Sequence, residues 1–200
     1  MGEGKIEGDV DCNDLKIYGE GTIKGDLTVE ETMDIKGHAA IKGDLEGEKL
    51  KIQGDIEFNY VTVDEAEIMG NISVKEDFNA EKFKVEGGFN INGLLNADEI
   101  EIYLYWPCKV HEIGCSEIKV KRESKLSFFG LKNMIMPNGS PKGLTADVIE
   151  GDEIYLEYTN ARVVRGNEVE LGPGCVVELV EYKNEFKQDE GAKVDTSKKI

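Results

Sequence analysis

A short apolar–polar–apolar triplet recurs along the chain at an interval of about 17 residues, and this repeat limits the possible folds more than any other feature. Successive triplets begin 18, 17, 16, 17, 17 and 18 residues apart. Glycine follows most of them, at positions 19, 37, 54, 70 and 87. Alternation with a period of two residues, interrupted by glycine, is typical of short strands and tight turns and unfavourable for helix. The first apolar members are Leu15, Met33, Leu50, Ala66, Phe83, Ile100 and Ile118.

A unit of this size cannot bury its own apolar side, so it must stack on copies of itself. The triplet returns at residues 154–156 and 169–171, which extends the pattern toward the end of the chain. The sequence therefore predicts an all-β protein: a single-stranded parallel β-helix, or β-solenoid, with about 17 residues per coil.

The polar residue inside each triplet alternates in charge from one repeat to the next. In a parallel solenoid these residues point outward and lie above one another, about 4.8 Å apart. Stacked unlike charges attract, whereas a slip by one coil would stack like charges. The alternation thus predicts the register and places Lys51 between Asp34 and Glu67. The full series is Lys16, Asp34, Lys51, Glu67, Lys84, Glu101 and Lys119.

One interruption divides the repeat. Ile118 and Ile154 are 36 residues apart, about twice the repeat, and no triplet lies between them. We expect residues 1–120 to form coils, 121–143 an inserted basic and apolar loop, 144–194 further coils of the same β-helix, and 195–200 a polar tail.

Composition excludes several functions. Asp and Glu number 41 against 24 Lys and Arg, giving a net charge of −17, which disfavours binding to a phosphate backbone. Nucleic acid is therefore not an expected partner. No apolar run reaches 18 residues and the N-terminal sequence lacks a signal-peptide layout, so we expect a cytoplasmic protein. The four cysteines are too sparse for a disulfide scaffold.

The segments DLKIYGEGTIKGD and IKGDL, with Gly-Asp turns between apolar-x-apolar strands, resemble the bactofilins. These are polymer-forming cytoskeletal proteins of bacteria. The resemblance covers Ile6 to Val120 and, more loosely, Leu144 to Val180. It implies a right-handed β-helix that polymerises end to end into nonpolar filaments without a nucleotide, and a role as a scaffold for cell-envelope or membrane-associated machinery.

The first coil is a candidate for self-association. The end of a solenoid exposes unpaired backbone groups and apolar core, and must be capped or paired. The sequence offers no evident cap before Ile6, Gly8 and Val10, so we expect this end to bind another copy, in a dimer or a filament. The alternative is that residues 1–9 fold over the end and seal it.

The insertion is a candidate contact surface. Basic residues flank an apolar, aromatic-rich segment, a composition that suits a docked protein partner or an interfacial membrane anchor. Contact with lipid would place the protein at the inner face of the membrane. The alternative is that the segment packs on the solenoid. The apolar residues are Leu126, Phe128, Phe129, Leu131, Met134, Ile135 and Met136.

Other site chemistries receive little support. Cys108, His111 and Cys115 have no second ligand pair nearby to complete a zinc site. Asp26, Asp44 and Asp55 follow turn glycines, where an Asp is expected to bond its own nearby backbone rather than act in catalysis. Calcium-binding solenoids use a nine-residue repeat, which is absent. We therefore expect no catalytic, metal-binding or cofactor-binding residues.

Together these features predict a non-enzymatic scaffold of the bactofilin type that self-associates through its ends and docks partners. The main alternative is a carbohydrate-active β-helix enzyme, a polysaccharide lyase or hydrolase. A third is a small soluble oligomer that uses the side of its solenoid as a binding module.

Overall fold

A computed structural model describes residues 3–122 and 143–200, and these residues form one sheet of ten strands. Each strand pairs in parallel with the next strand in the chain. The all-β prediction is confirmed. The strands are β1 (Glu3–Ile6), β2 (Val10–Ile23), β3 (Leu27–Ile41), β4 (Asp44–Phe58), β5 (Tyr60–Val74), β6 (Phe78–Lys121), β7 (Leu144–Leu156), β8 (Thr159–Leu171), β9 (Val176–Gln188) and β10 (Lys193–Lys199).

Each coil has three sides, and each side directs two residues inward. In β3 the inward pairs are Leu27 and Val29 on side 1, Met33 and Ile35 on side 2, and Ala39 and Ile41 on side 3. Corners separate these pairs, and the same positions are buried in β5 and, apart from Gly47, in β4. The core is therefore a continuous column of apolar side chains enclosed by three ladders of parallel strands.

The predicted register is confirmed on side 2. Lys51 pairs with Asp34 in one neighbouring strand and with Glu67 in the other. Glu67 pairs in turn with Lys84, whose ammonium nitrogen lies 3.9 Å from a Glu101 carboxylate oxygen. The outward residues of side 2 thus follow the alternating charges that the triplets predicted.

The Gly-Asp turns work differently from our expectation. Asp26 does not bond its own nearby backbone. Its Oδ1 accepts the N–H of Asp44 one coil further on, at 2.9 Å, and Asp9 accepts the N–H of Asp26 in the same way. The expectation was wrong because stacked turns bring the next coil's amide within reach of the carboxylate. These aspartates therefore connect coils.

A column of glycines marks the corner between sides 2 and 3. Gly54 has φ of +143°, and a Cβ at this position would collide with the carbonyl oxygen of Gly37 below it. Only glycine fits both the backbone conformation and the close approach. The column consists of Gly19, Gly37, Gly54, Gly70 and Gly87, which pair in order.

The inserted segment lies between β6 and β7 in the sequence. β6 ends at Lys121 on side 2, and β7 begins with Leu144, which pairs with Cys108. Ile154 pairs with Ile118, so the repeat resumes in register after the insertion. In the final coil, β10 pairs with β9 through Lys199, and this pairing includes residues of the segment 195–200 that we expected to be a polar tail.

Candidate self-association surfaces

The N-terminal end of the solenoid has an incomplete coil. β1 is four residues long and pairs only with Glu20–Ile23 on side 3. Among the described residues, β2 has no further partner on that edge along sides 1 and 2. Along sides 1 and 2, no described strand therefore covers this sheet edge or the first layer of the core.

The inward residues at this end are less buried than those of the next coil. Val10, Cys12, Leu15 and Ile17 are the inward residues of the first coil on sides 1 and 2, and all four are only half-buried. Their counterparts one coil further on are at most 1% exposed: Leu27, Val29, Met33 and Ile35. The difference follows from the missing coil, since nothing among the described residues packs on the outer side of the first layer.

The structure places the three predicted self-association residues together at this end. Ile6 closes β1 and is 42% exposed, Gly8 lies in the following turn with open space around it, and Val10 begins β2. Sequence reasoning missed Leu15, Ile17 and the exposed Tyr18. With β1 these line a groove of about 490 Å³. The first triplet was the available signal, because it marks the first coil of the repeat, which β1 covers only on side 3.

Ionic contacts hold β1 in position. The Glu7 carboxylate lies 2.6 Å from the Lys5 ammonium and 3.0 Å from that of Lys24. Hydrogen bonds from Lys5 and Lys24 lower the pKa of Glu7. The backbone N–H of Lys24 also donates to the carbonyl oxygen of Ile6 at 3.0 Å. This short strand is thus tied to the coil formed by β2.

The C-terminal end has a polar edge. β10 covers Val176–Tyr182 of β9, and its side chains are mostly exposed and include Lys193, Lys198 and Lys199. Lysine on an edge strand disfavours pairing with another strand. Tyr182 and Phe186, whose ring centroids are 5.6 Å apart, are half-buried, and the pairing of β10 with β9 ends at Tyr182. The two ends therefore present different surfaces.

The apolar residues predicted for partner or membrane contact, Leu126 to Met136, lie outside the described residues. The boundaries of the insertion are described. The Arg122 guanidinium lies 4.5 Å from the ring centroid of Tyr158, and the Arg122 N–H donates to Glu157 at 3.0 Å. Gly143, where the chain returns, accepts the N–H of Cys108 at 2.9 Å.

Cys108, His111 and Cys115 do not converge on one point. The Cys108 thiol is buried and faces the Gly87 carbonyl, whereas His111 lies 2.9 Å from Asp147. Burial raises the pKa of Cys108 and Cys115 to about 12, which opposes the thiolate form that binds metals. In the described part of the chain no three His, Cys, Asp or Glu side chains are arranged to hold a metal ion.

Several charged side chains have partners on neighbouring coils. The Asp26 carboxylate accepts a backbone N–H, and Asp55 accepts the side-chain amide of Asn71 at 3.0 Å. Arg165 bridges Glu150 at 3.0 Å and Glu181 at 2.9 Å on successive coils. These contacts join neighbouring coils. Residues 3–122 and 143–200 contain no helix long and apolar enough to cross a bilayer.

The stacked coils, the inter-coil contacts of the carboxylates and the open first coil define the class of protein: a β-solenoid whose surface is built for structural contacts. Residues 2–96, just under half of the chain, match the family model of the bactofilins, which is described as polymer-forming cytoskeletal. The family resemblance stated from the sequence is thereby confirmed.

Two uncharacterized proteins of Bacillus subtilis (strain 168) are similar to the chain. YhbE is 43% identical over 112 residues, which is 55% of this chain and 44% of YhbE. YhbF is 44% identical over 110 residues, covering 54% of this chain and 42% of YhbF. The chain thus matches less than half the length of either relative. No solved structure gives a significant match.

Proposed function

We propose that the protein is a non-enzymatic cytoplasmic scaffold that self-associates through the N-terminal end of its solenoid and contacts partners through its insertion. The observation that carries this proposal is the incomplete first coil, with half-buried apolar residues and an unpaired strand edge. A second copy would cover both. The description of the family as polymer-forming and cytoskeletal supports the same role.

The two ends of the solenoid present different surfaces, and this difference favours a dimer over a filament. If only the N-terminal end binds, two copies meet end to end and growth stops at a dimer. A filament also requires the lysine-rich C-terminal edge to bind, and the net charge of −17 opposes close approach at low salt.

Substitution at the open end tests the proposal. Ile6→Lys with Val10→Lys places two charges in the end surface, and we expect the assembly to dissociate into monomers. Val176→Lys is the matched control, because Val176 is an aliphatic residue of similar exposure, 48%, on the opposite terminal coil. Size-exclusion chromatography with light scattering, together with negative-stain microscopy across a salt series, reports the assembly.

Wild type that is monomeric at every concentration and salt would overturn self-association. Wild-type behaviour by the Ile6→Lys/Val10→Lys variant, with circular dichroism unchanged, would exclude the N-terminal end as the contact. Dissociation by Val176→Lys instead would move the contact to the other end.

For the insertion, we propose that residues 121–143 are a contact surface between two blocks of the solenoid, 1–120 and 144–194. Lys121 and Arg122 lie over Tyr155 and Tyr158 at its base, which concentrates positive charge and aromatic rings on an acidic protein. Such a combination suits a protein partner or an anionic membrane surface.

Replacing residues 123–140 with a short Gly-Ser linker tests this role. A contact surface predicts unchanged β circular dichroism and lost binding, measured as co-sedimentation with anionic vesicles or as copurification of a partner. Loss of folding would show that the segment belongs to the core. Binding that persists in a folded deletion variant would place the contact elsewhere.

A further inference from the structure

Side 2 carries a second column of alternating charges beside the column that the triplets predicted. Lys49 pairs with Glu65, and Glu65 pairs with Lys82. The Lys82 ammonium lies 3.7 Å from the carboxylate of Glu99, which continues the column into the next coil. Two adjacent columns of alternating charge therefore run over the same four coils.

The two columns have the same sign in each coil, so the surface is divided into four bands. β4 contributes a positive band and β5 a negative band. Within the long strand β6, the first coil contributes a positive band and the next coil a negative band. We call this surface the banded face. The bands are Lys49 and Lys51, then Glu65 and Glu67, then Lys82 and Lys84, then Glu99 and Glu101.

The banded face is exposed and electrically balanced. The side chains of Glu67, Lys82 and Glu99 are 54%, 57% and 61% exposed. The four lysines cancel the four glutamates, so the excess of 17 negative charges lies on the rest of the chain. A second copy that approaches this face meets no net repulsion from it, unlike a copy that approaches the acidic remainder.

An even number of alternating bands is complementary to itself. Consider a twofold axis that is parallel to the strands and lies between β5 and the first coil of β6. Rotation about this axis reverses the order of the coils and keeps each column opposite itself. Lys49 then faces Glu99 of a second copy, and Glu65 faces Lys82. Adjacent bands are about 4.8 Å apart, so a shift by one band would oppose like charges.

We propose that the banded face is a lateral contact between two antiparallel copies of this chain. The contact differs from the end-to-end association proposed above and does not depend on it. Each exposed ion pair contributes little by itself. Because the same surface recurs on every copy in an assembly joined by its ends, many weak contacts would add along its length.

Complementary charge reversal tests the proposal. One variant, Lys49→Glu with Lys51→Glu, reverses the first band, and the other, Glu99→Lys with Glu101→Lys, reverses the fourth. In an antiparallel pair of one variant alone, the reversed band of each copy faces a band of the same charge on the other copy. The pair therefore contains two repulsive contacts. An equimolar mixture restores opposite charges in all four bands. Both are made in the Ile6→Lys/Val10→Lys background, so that the end contact does not contribute.

We expect the background protein to form a lateral dimer in sedimentation velocity at low ionic strength. Each variant alone should dimerise at least tenfold more weakly, and the mixture should recover the dimer. Salt near 1 M, where the screening length is about 3 Å, should dissociate it. If dimerisation depended only on net charge, the fourth-band variant would dimerise more strongly than its parent, because it is less acidic.

A background protein that stays monomeric at all concentrations would overturn the proposal. So would a mixture that stays monomeric although circular dichroism shows both variants folded, or single variants that dimerise as well as the parent. If a reversed variant fails to fold, Lys49→Gln with Lys51→Gln removes the band without adding repulsion. This variant must also weaken the dimer, and unchanged dimerisation would equally overturn the proposal. Failure of end association leaves this result unchanged, since the end is blocked throughout.

Discussion

The two ends of the solenoid interrupt the same repeat in different ways. At the N-terminal end, β1 covers one side of the coil, and the inward residues of β2 on the other two sides stay half-buried. At the C-terminal end, β10 extends from Lys193 to Lys199 and presents lysines along its edge. A repeat protein must manage the edges that its stacking creates. Here one edge is left available and the other is made polar.

This difference separates residues that stabilise the fold from residues that are free to bind. A position in the middle of the stack has neighbours on both sides, so substitution there should cost stability. The equivalent position in the first coil has a neighbour on one side only. Substitution there should affect association more than folding.

The largest difference between the middle of the stack and the first coil is expected when core residues are substituted. Phe83 is 1% exposed, and its ring packs edge-on against Phe78 and Phe89, with centroids 5.0 and 5.8 Å away. Phe83→Ala should lower the free energy of unfolding by about 4 kcal/mol, whereas Ile17→Ala in the first coil should cost about 1.5 kcal/mol. Urea denaturation of both variants measures the difference. Equal losses would mean that the first layer is as well packed as the middle.

Substitution of glycine should give the next largest difference in stability between the middle of the stack and its N-terminal end. Gly54→Ala forces a side chain into a left-handed conformation and against the carbonyl of Gly37, and should cost about 3 kcal/mol. Gly4→Ala in β1 adds a methyl group where no atom lies within 4 Å and should leave stability nearly unchanged. Thermal unfolding followed by circular dichroism compares them. A large loss in Gly4→Ala would show that the end is covered.

Cysteine reactivity reports a smaller, local difference. Burial raises the pKa of Cys108 to about 12 and that of Cys175 to about 11, so both thiols should be alkylated slowly at pH 8. Cys12 is half-exposed in the first layer, and we expect iodoacetamide to modify it at least tenfold faster. Mass spectrometry of digested protein identifies the modified residue.

The same probe detects assembly. Cys12 should become protected as protein concentration rises, and the Ile6→Lys/Val10→Lys variant should abolish this protection. If Cys12 reacts at the same rate in concentrated and dilute wild type, the first layer is not the contact.

The smallest effect concerns the attachment of β1. Because Lys5 and Lys24 lower the pKa of Glu7 below its ordinary value of 4.5, this contribution is fully present above pH 4.5. It is lost as the pH falls through the lowered folded-state value. Glu7→Gln should remove it at all pH values and speed hydrogen exchange of the Lys24 amide, which bonds Ile6. The Lys193 amide at the opposite end is the control, and it should not change.

Much of the fold could be predicted because each coil repeats the same sequence pattern, and this pattern indicates how neighbouring coils align. The triplets identify which residues face inward, and the alternating charges of Asp34, Lys51 and Glu67 fix which coil lies on which. Glycine spacing located one corner. These signals are local and recur in every coil, so no long-range pairing had to be guessed.

Other features depend on distances that the repeat does not encode. The bond from Asp26 to the Asp44 amide depends on how closely two turns approach. The second charge column was missed because Lys49 and Glu65 precede the triplets and were not compared across coils. Trp106 lies where β6 departs from the regular spacing, and its 49% exposure follows from that departure.

The glycine column also restricts how such a protein can change in length. From Gly37 to Gly87, each corner glycine accommodates the carbonyl of the coil beneath it, so removing a few residues from one coil would misalign every later corner. Viable length variants should differ by complete coils or by segments inserted between two strands, at a position such as that between Arg122 and Gly143. Duplication of one coil should therefore give a longer rod with its two dissimilar tips preserved.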